Sequence, residues 1–233
     1  MPEYRRALHR LVGRALNSMD ARFLARTECY FGGGTMLAMT LKEYRESRDI
    51  DFLCSSRVGF RSLRETITDQ SLGAIFRQPM DLARDVRADR DGIRTFLKFG
   101  DVLIKFEIIL EARIDLEGAI DETLGVPTLR MECAVAEKFL ANTDRGLDES
   151  TLSRDIVDLS FAAAHSGRAP IEEGMGIAEQ AYGTAVRKSL RATLDSFKGN
   201  RSRASAHIRS LGVEDTQTLR KGMRLLGNLT PAL

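Results

Sequence analysis

Cysteine and histidine are scarce and poorly spaced for metal or redox chemistry. The three cysteines, Cys29, Cys54 and Cys133, form no CxxC pair and lie among apolar residues. That excludes a zinc ribbon or disulfide framework and reads as reduced thiols in a core. The histidines His9, His165 and His207 are scattered, so neither a histidine-based hydrolase nor a zinc centre is expected. No apolar run reaches the roughly 18 residues of a membrane span. The opening stretch MPEYRRALHRLVGRAL carries charges throughout, unlike the continuous apolar core of a signal peptide. A soluble, cytoplasmic protein with no membrane partner is predicted. Repeats and low-complexity tracts are also lacking. Two phosphate-binding signatures are missing too: Leu37 stands where GxGxxG needs its last glycine, and no GK[ST] follows.

What remains is ordinary globular composition, 43% apolar and 29% charged over 233 residues, enough for one large domain or two small ones. The net charge of +2 conceals an asymmetry. From Gly183 to Leu233 ten Lys and Arg face three Asp and Glu, a net of +7, and the remainder carries −5. A basic tail beside an acidic segment suits a phosphate-backbone partner. It is equally what a solvated helix surface gives.

The most informative stretch runs from Phe31 to Leu53, FGGGTMLAMTLKEYRESRDIDFL. Successive side chains of a strand point to opposite faces, so Asp49 and Asp51 share one face while Ile50 and Phe52 share the other. Paired carboxylates repel unless a cation lies between them, and Mg2+ takes carboxylate oxygens together with substrate phosphates. Upstream, Gly32, Gly33 and Gly34 let backbone approach a ligand and open a helix N-terminus that favours an anion. Alone, those glycines are no more than a tight strand-to-helix turn. With the carboxylates they suggest a nucleotide site.

In chain order, the spacing of apolar residues predicts one helix over Tyr4 to Leu24. A short strand, Glu28 to Phe31, leads to a helix over Met36 to Leu41 capped by Thr35. Helical pieces are expected at Phe60 to Thr68 and Gln70 to Gln78. The turn dipeptides Asp91-Gly92 and Gly100-Asp101 separate antiparallel strands near Leu82 to Arg87, Ile93 to Phe99 and Val102 to Leu110. In the last, Lys105 and Glu107 share a face, so a position beside the Asp49/Asp51 strand lets Glu107 complete a carboxylate triad. From Glu122 the pattern changes: LGVPTL reads as an extended linker into a helix over Met131 to Thr143. Asp148 or Ser153 caps the next helix, RDIVDLSFAAA, with Asp155 and Asp158 off its buried stripe and Arg154 paired to Asp158. Further helices are expected at Pro170 to Tyr182, Gly183 to Phe197, Arg201 to Leu211 and Glu214 to Leu225.

The ordered set GGGTMLAM, RESRDIDFL, LIKFEII, VPTLRMECAVAEKFLANTDR and SRDIVDL resembles the AbiEii-like nucleotidyltransferase family, which includes abortive-infection and MenT-type toxins, over roughly residues 25 to 165. The resemblance implies an α+β fold: a polymerase-beta-like nucleotidyltransferase core with a mixed or antiparallel sheet over 1–125, followed by a helical C-terminal domain over 126–233. It implies a Mg2+- or Mn2+-dependent enzyme that moves a nucleoside monophosphate from a nucleoside triphosphate to an acceptor, often the tRNA 3′ end. As the toxin of a toxin-antitoxin system, it would have a cognate antitoxin as partner.

By the same resemblance Asp49, Asp51 and Glu107 are catalytic and metal-binding, with Glu in place of the family's more frequent Asp at the third position. Gly33, Gly34, Thr35, Arg48, Lys105 and Lys138 are nucleotide-binding, and Arg154 and Asp155 are supporting. Two other classes fit the same residues: a protein- or self-nucleotidylating enzyme, and a non-catalytic nucleotide or RNA binder.

Overall fold

The structure, a computed structural model, describes residues 3–230. It divides into two compact units. One comprises residues up to Met36 together with Ser47–Arg130; the other comprises Leu37–Glu46 together with residues from Met131 onward. Among the described residues no helix is long and apolar enough to cross a membrane.

The first unit is built on a seven-stranded sheet. Its strands are β1 (Cys29–Phe31), β2 (Ile50–Cys54), β3 (Arg87–Ala88), β4 (Gly92–Phe99), β5 (Val102–Leu110), β6 (Gly118–Ile120) and β7 (Pro127–Leu129), arranged β3-β4-β5-β2-β1-β7-β6. The sheet is mixed: β2 runs parallel to β5 and β1 parallel to β7, while the other pairs are antiparallel. Alternation sets its faces. Ile50, Phe52, Ile104, Phe106 and Ile108 are fully buried, which turns Asp51, Lys105 and Glu107 to the opposite side. The Phe31 and Phe52 rings lie 5.5 Å apart and those of Phe52 and Phe106 6.3 Å apart, an aromatic row that ties three adjacent strands.

Helices α1 (Ala7–Asn17), α2 (Ala21–Arg26) and α4 (Arg57–Glu65) belong to this unit, and α3 (Gly33–Thr40) begins in it. The single helix expected over Tyr4 to Leu24 is two, because the Asp20 carboxylate accepts the Phe23 N–H at 2.9 Å and starts a new helix from an extended backbone. Around Gln70 to Gln78 only a 3-10 turn, Gly73–Ile75, forms, with Gly73 at φ +55°. The strand expected near Leu82 shrinks to Arg87–Ala88 and one isolated bridge, Leu82 to Leu97. LGVPTL is not a linker. Its Pro127–Leu129 is β7, with the donor-less proline at the strand's first residue.

The second unit is helical: α5 (Met131–Arg145), α6 (Arg154–Ser166), α7 (Arg168–Tyr182), α8 (Ala185–Gly199), α9 (Arg201–Ser210) and α10 (Thr216–Gly227). Helices α6 and α10 approach closely at Gly222, where a Cβ would fall 1.8 Å from the Ser160 carbonyl oxygen. Neither expected residue caps α6. Asp148 instead accepts the Ser150 N–H at 2.9 Å and starts a 3-10 turn, and Ser153 precedes α6 at φ +56° without a side-chain cap. Asp155 and Asp158 are 2% and 0% exposed, not on an outer arc. The Arg154–Asp158 surface pair is not made, since Arg154 Nε donates to the Thr151 carbonyl at 3.2 Å and Asp158 turns inward to other cations.

Candidate active site

The site in the first unit begins where β1 runs into α3. The Gly32 N–H donates to the Asp51 carbonyl at 2.9 Å, closing the end of the β1–β2 ladder. The next residue, Gly33, takes φ +69°, and a Cβ there would lie 2.7 Å from Asp51 Oδ2. Only glycine lets the backbone turn this way and touch the carboxylate. Helix α3 therefore starts at Gly33, earlier than expected, and places Thr35 inside its first turn rather than at its cap. Asp51 thus lies at the electropositive end of a helix.

Thr35 has another task. Its Oγ1 lies 2.7 Å from Ser47 Oγ, and the Ser47 N–H donates to Nε2 of the fully buried His9 at 3.3 Å. His9 must keep Nε2 unprotonated to accept that bond. Together the two contacts hold the loop that carries exposed Arg48 and half-buried Asp49 into β2.

Across the sheet three residues stand in one row. Asp51 on β2 is in register with Glu107 on β5, and Glu107 with Arg94 on β4. The expected neighbourhood of Asp51 and Glu107 is therefore present, but Glu107 is already engaged: Arg94 Nε donates to its Oε1 at 2.6 Å and Lys105 Nζ donates to its Oε2. Burial lowers the Lys105 pKa, yet its hydrogen bond with Glu107 and the charges of Glu107, Asp51 and Asp49 outweigh this and hold it above the ordinary lysine value. Among the described residues no three Asp, Glu, His or Cys side chains are grouped closely enough to share one ion.

A hard divalent cation nevertheless fits the donor set. Mg2+ commonly takes one or two carboxylates and completes its shell with waters and substrate phosphates. Asp49 is the last loop residue before β2, rather than the strand residue expected, and Asp51 is the strand's second residue, its carboxylate held against a helix N-terminus.

Of the remaining expected residues, all in the second unit, Lys138 and Asp155 belong to a buried ionic network, whereas Arg154 is half-buried and donates to the Thr151 carbonyl. Lys138 Nζ is 3.0 Å from Asp155 Oδ1 and 2.7 Å from Asp158 Oδ2. Arg45 forks onto Asp158 at 2.7 and 3.0 Å, Tyr44 Oη donates to Asp158 Oδ1 at 2.7 Å, and Arg145 Nε reaches Asp155 at 2.8 Å. Burial alone would raise the Asp158 pKa; the charges of Arg45 and Lys138 override it and hold the carboxyl well below the usual carboxylate range. Asp155 is lowered too, against its own burial, by Lys138 and Arg145.

The sequence reading missed Arg94, Ser47, His9, Tyr44 and Arg45. Only Arg94 carried a usable signal. Counting back along the β4–β5 hairpin from its Gly100-Asp101 turn puts Arg94 opposite Glu107.

Comparison with known proteins agrees with this architecture. Among curated proteins none matches this sequence. A crystal structure of a proposed nucleotidyltransferase from H. pylori is similar to this chain with TM-score 0.54 and 17% identity, covering 95% of this chain and 93% of that one. The crystal structure of JHP933 from Helicobacter pylori gives TM-score 0.54 and 17% identity over 98% of this chain and 94% of that one. At that identity the likeness establishes the fold, the α+β class expected from sequence. The family model for the nucleotidyl transferase AbiEii toxin, Type IV TA system, matches residues 14–220. Spanning most of its length, that match makes the chain a member of the AbiEii nucleotidyl transferase toxin family.

Proposed function

We propose that this protein is a Mg2+- or Mn2+-dependent nucleotidyltransferase that moves a nucleoside monophosphate from a nucleoside triphosphate to an acceptor hydroxyl, with the tRNA 3′ end as acceptor and pyrophosphate as leaving group. The observation that carries the reading is the Asp51 carboxylate packed on Gly33 at the start of α3 and in register with Glu107. Asp49 and Asp51 would hold the cation, which when bound supplies charge neutralisation at the transferring phosphorus.

The chain's own residues do the rest. Amide groups at the start of α3, from Gly33 through Thr35, face an anion as helix N-termini do. Arg48 and Lys105 add positive charge as the pyrophosphate departs, when preorganised cations contribute most. The acceptor oxygen forms its bond to the alpha phosphorus as the bond to the beta-phosphate oxygen breaks, and the hydroxyl proton leaves to solvent. Lys138, expected from the resemblance to reach the nucleotide, is engaged by Asp155 and Asp158, and we read it as joining α5 to α6, with Arg154 and Asp155 supporting that junction.

An RNA acceptor is supported by a groove of about 700 Å³ between α8, α9 and α10, lined by exposed Lys198, Arg201, Arg209 and Arg220 over Ile208 and Met223. A toxin of this family also implies a cognate antitoxin, and the host cytoplasm, where tRNA is found, as its place of action. The deciding experiment offers four alpha-labelled triphosphates in turn, with Mg2+ or Mn2+ and total tRNA. Label is expected on the tRNA 3′ end with one triphosphate preferred. Label on protein would identify a protein-nucleotidylating enzyme instead, and no label anywhere would refute transfer.

A further inference from the structure

Glu107 occupies the place of a third metal ligand, yet its surroundings are those of an anchor. Both of its oxygens are taken by cations of the protein, Oε1 by Arg94 Nε and Oε2 by Lys105 Nζ, and its side chain is 11% exposed. Arg94 is held at its other end as well, where Nη1 donates to Asp89 Oδ2 at 3.1 Å. The guanidinium lies flat on Gly92: a Cβ there would sit 2.6 to 2.8 Å from Nη2, Cζ and Nη1. Gly92 is not among the residues of positive φ, so the missing side chain serves this close approach, not a turn. Arg94 and Lys105 are each about two-fifths exposed, 39% and 41%, and both keep a face toward solvent.

We infer that Glu107 is a positioning residue, not a metal ligand, and that it holds Arg94 and Lys105 as a two-cation clamp for the phosphates of the donor nucleotide. The inference rests on the nucleotidyltransferase reading and adds Arg94 to its binding residues. Two cations side by side on neighbouring strands repel. A carboxylate between them removes the repulsion and fixes their spacing, and the planar guanidinium matches phosphate oxygens in pairs. Metal binding then falls to Asp49 and Asp51, and recognition of the triphosphate to the row beside them.

The test uses the full chain and Mn2+ as probe. Manganese affinity is read by electron paramagnetic resonance without nucleotide, and KM and kcat are measured with the triphosphate that labels best. Glu107→Gln and Gly92→Ala are expected to bind Mn2+ within about twofold of wild type, with KM raised about tenfold and kcat within about threefold. Asp51→Asn is expected to lose Mn2+ binding. Arg94→Ala should match Gly92→Ala in KM and Arg94→Lys should recover part of the loss; this pair carries the comparison if Gly92→Ala does not fold. A Glu107→Gln protein that loses Mn2+ as Asp51→Asn does would overturn the inference and leave the enzyme reading intact, and so would an Arg94→Ala protein with wild-type KM. Wild-type protein that neither binds Mn2+ nor transfers nucleotide would overturn the reading beneath it.

Discussion

Asp158 is fully buried and ionised, a state that survives only because Arg45, Lys138 and the Tyr44 hydroxyl surround it. Arg45→Met removes the bidentate partner and should destabilise the protein by about 3 kcal/mol at neutral pH. The sign of its pH dependence follows from the depressed carboxyl. The contribution is complete above the unfolded pKa of about 3.9 and fades as pH falls toward the lower folded value. The gap in urea midpoint between wild type and Arg45→Met should therefore hold from pH 7 to about pH 4 and narrow as the pH falls below that; a gap that stays constant down to about pH 2 would refute the assignment. None of this network was legible in the sequence, since Arg45 and Asp158 are 113 residues apart and a helical pattern cannot tell an inward carboxylate from a surface one. The facing of Asp51 away from the core was legible, because period-two alternation with Ile50 and Phe52 is a local property.

At the scale of elements, the tightest junction is that of α6 with α10. Gly222→Ala would drive a methyl into the Ser160 carbonyl, and backbone cannot yield as a flexible side chain does. It should lower stability by about 1 to 3 kcal/mol, read as a drop in Tm, whereas Gly176→Ala, with open space around its position, should not. Long elements announced themselves. The bounds of β5 agree with the alternation and turn dipeptides, and α5 through α10 lie within a few residues of their expected ranges. The three-residue strands β6 and β7 are too short to show a period, and pairing supplied by β1 rather than intrinsic preference makes β7 a strand. Asp20 was available as a helix breaker but was hidden inside a continuous apolar stripe.

The whole molecule carries its charge unevenly, with ten Lys and Arg against three Asp and Glu between Gly183 and Leu233. If RNA docks along Lys198, Arg201, Arg209 and Arg220, raising salt from about 50 to 200 mM should weaken tRNA binding on the order of a hundredfold. An Arg209→Glu, Arg220→Glu double variant should flatten that dependence while its Tm stays near wild type; an unchanged salt slope would remove this groove from the RNA path. Family membership and fold class were legible from an ordered set of short motifs, whereas the ionic partners of the cations were not. Lys138 was grouped with the nucleotide-binding residues by its motif, and only coordinates reveal the two carboxylates that hold it.

One consequence follows from the stretch Leu37–Glu46, which clusters with the helices that come almost a hundred residues later. Cutting the gene at the codon for Met131 would not yield two finished halves, because the downstream fragment would lack the guanidinium that neutralises Asp158. During synthesis the same arrangement obliges Arg45 to wait, solvated and without its carboxylate, until α6 has left the ribosome. The helical portion therefore completes its interior only once the 113 residues from Arg45 to Asp158 have been made, and any truncation upstream of Asp158 leaves that wait unended.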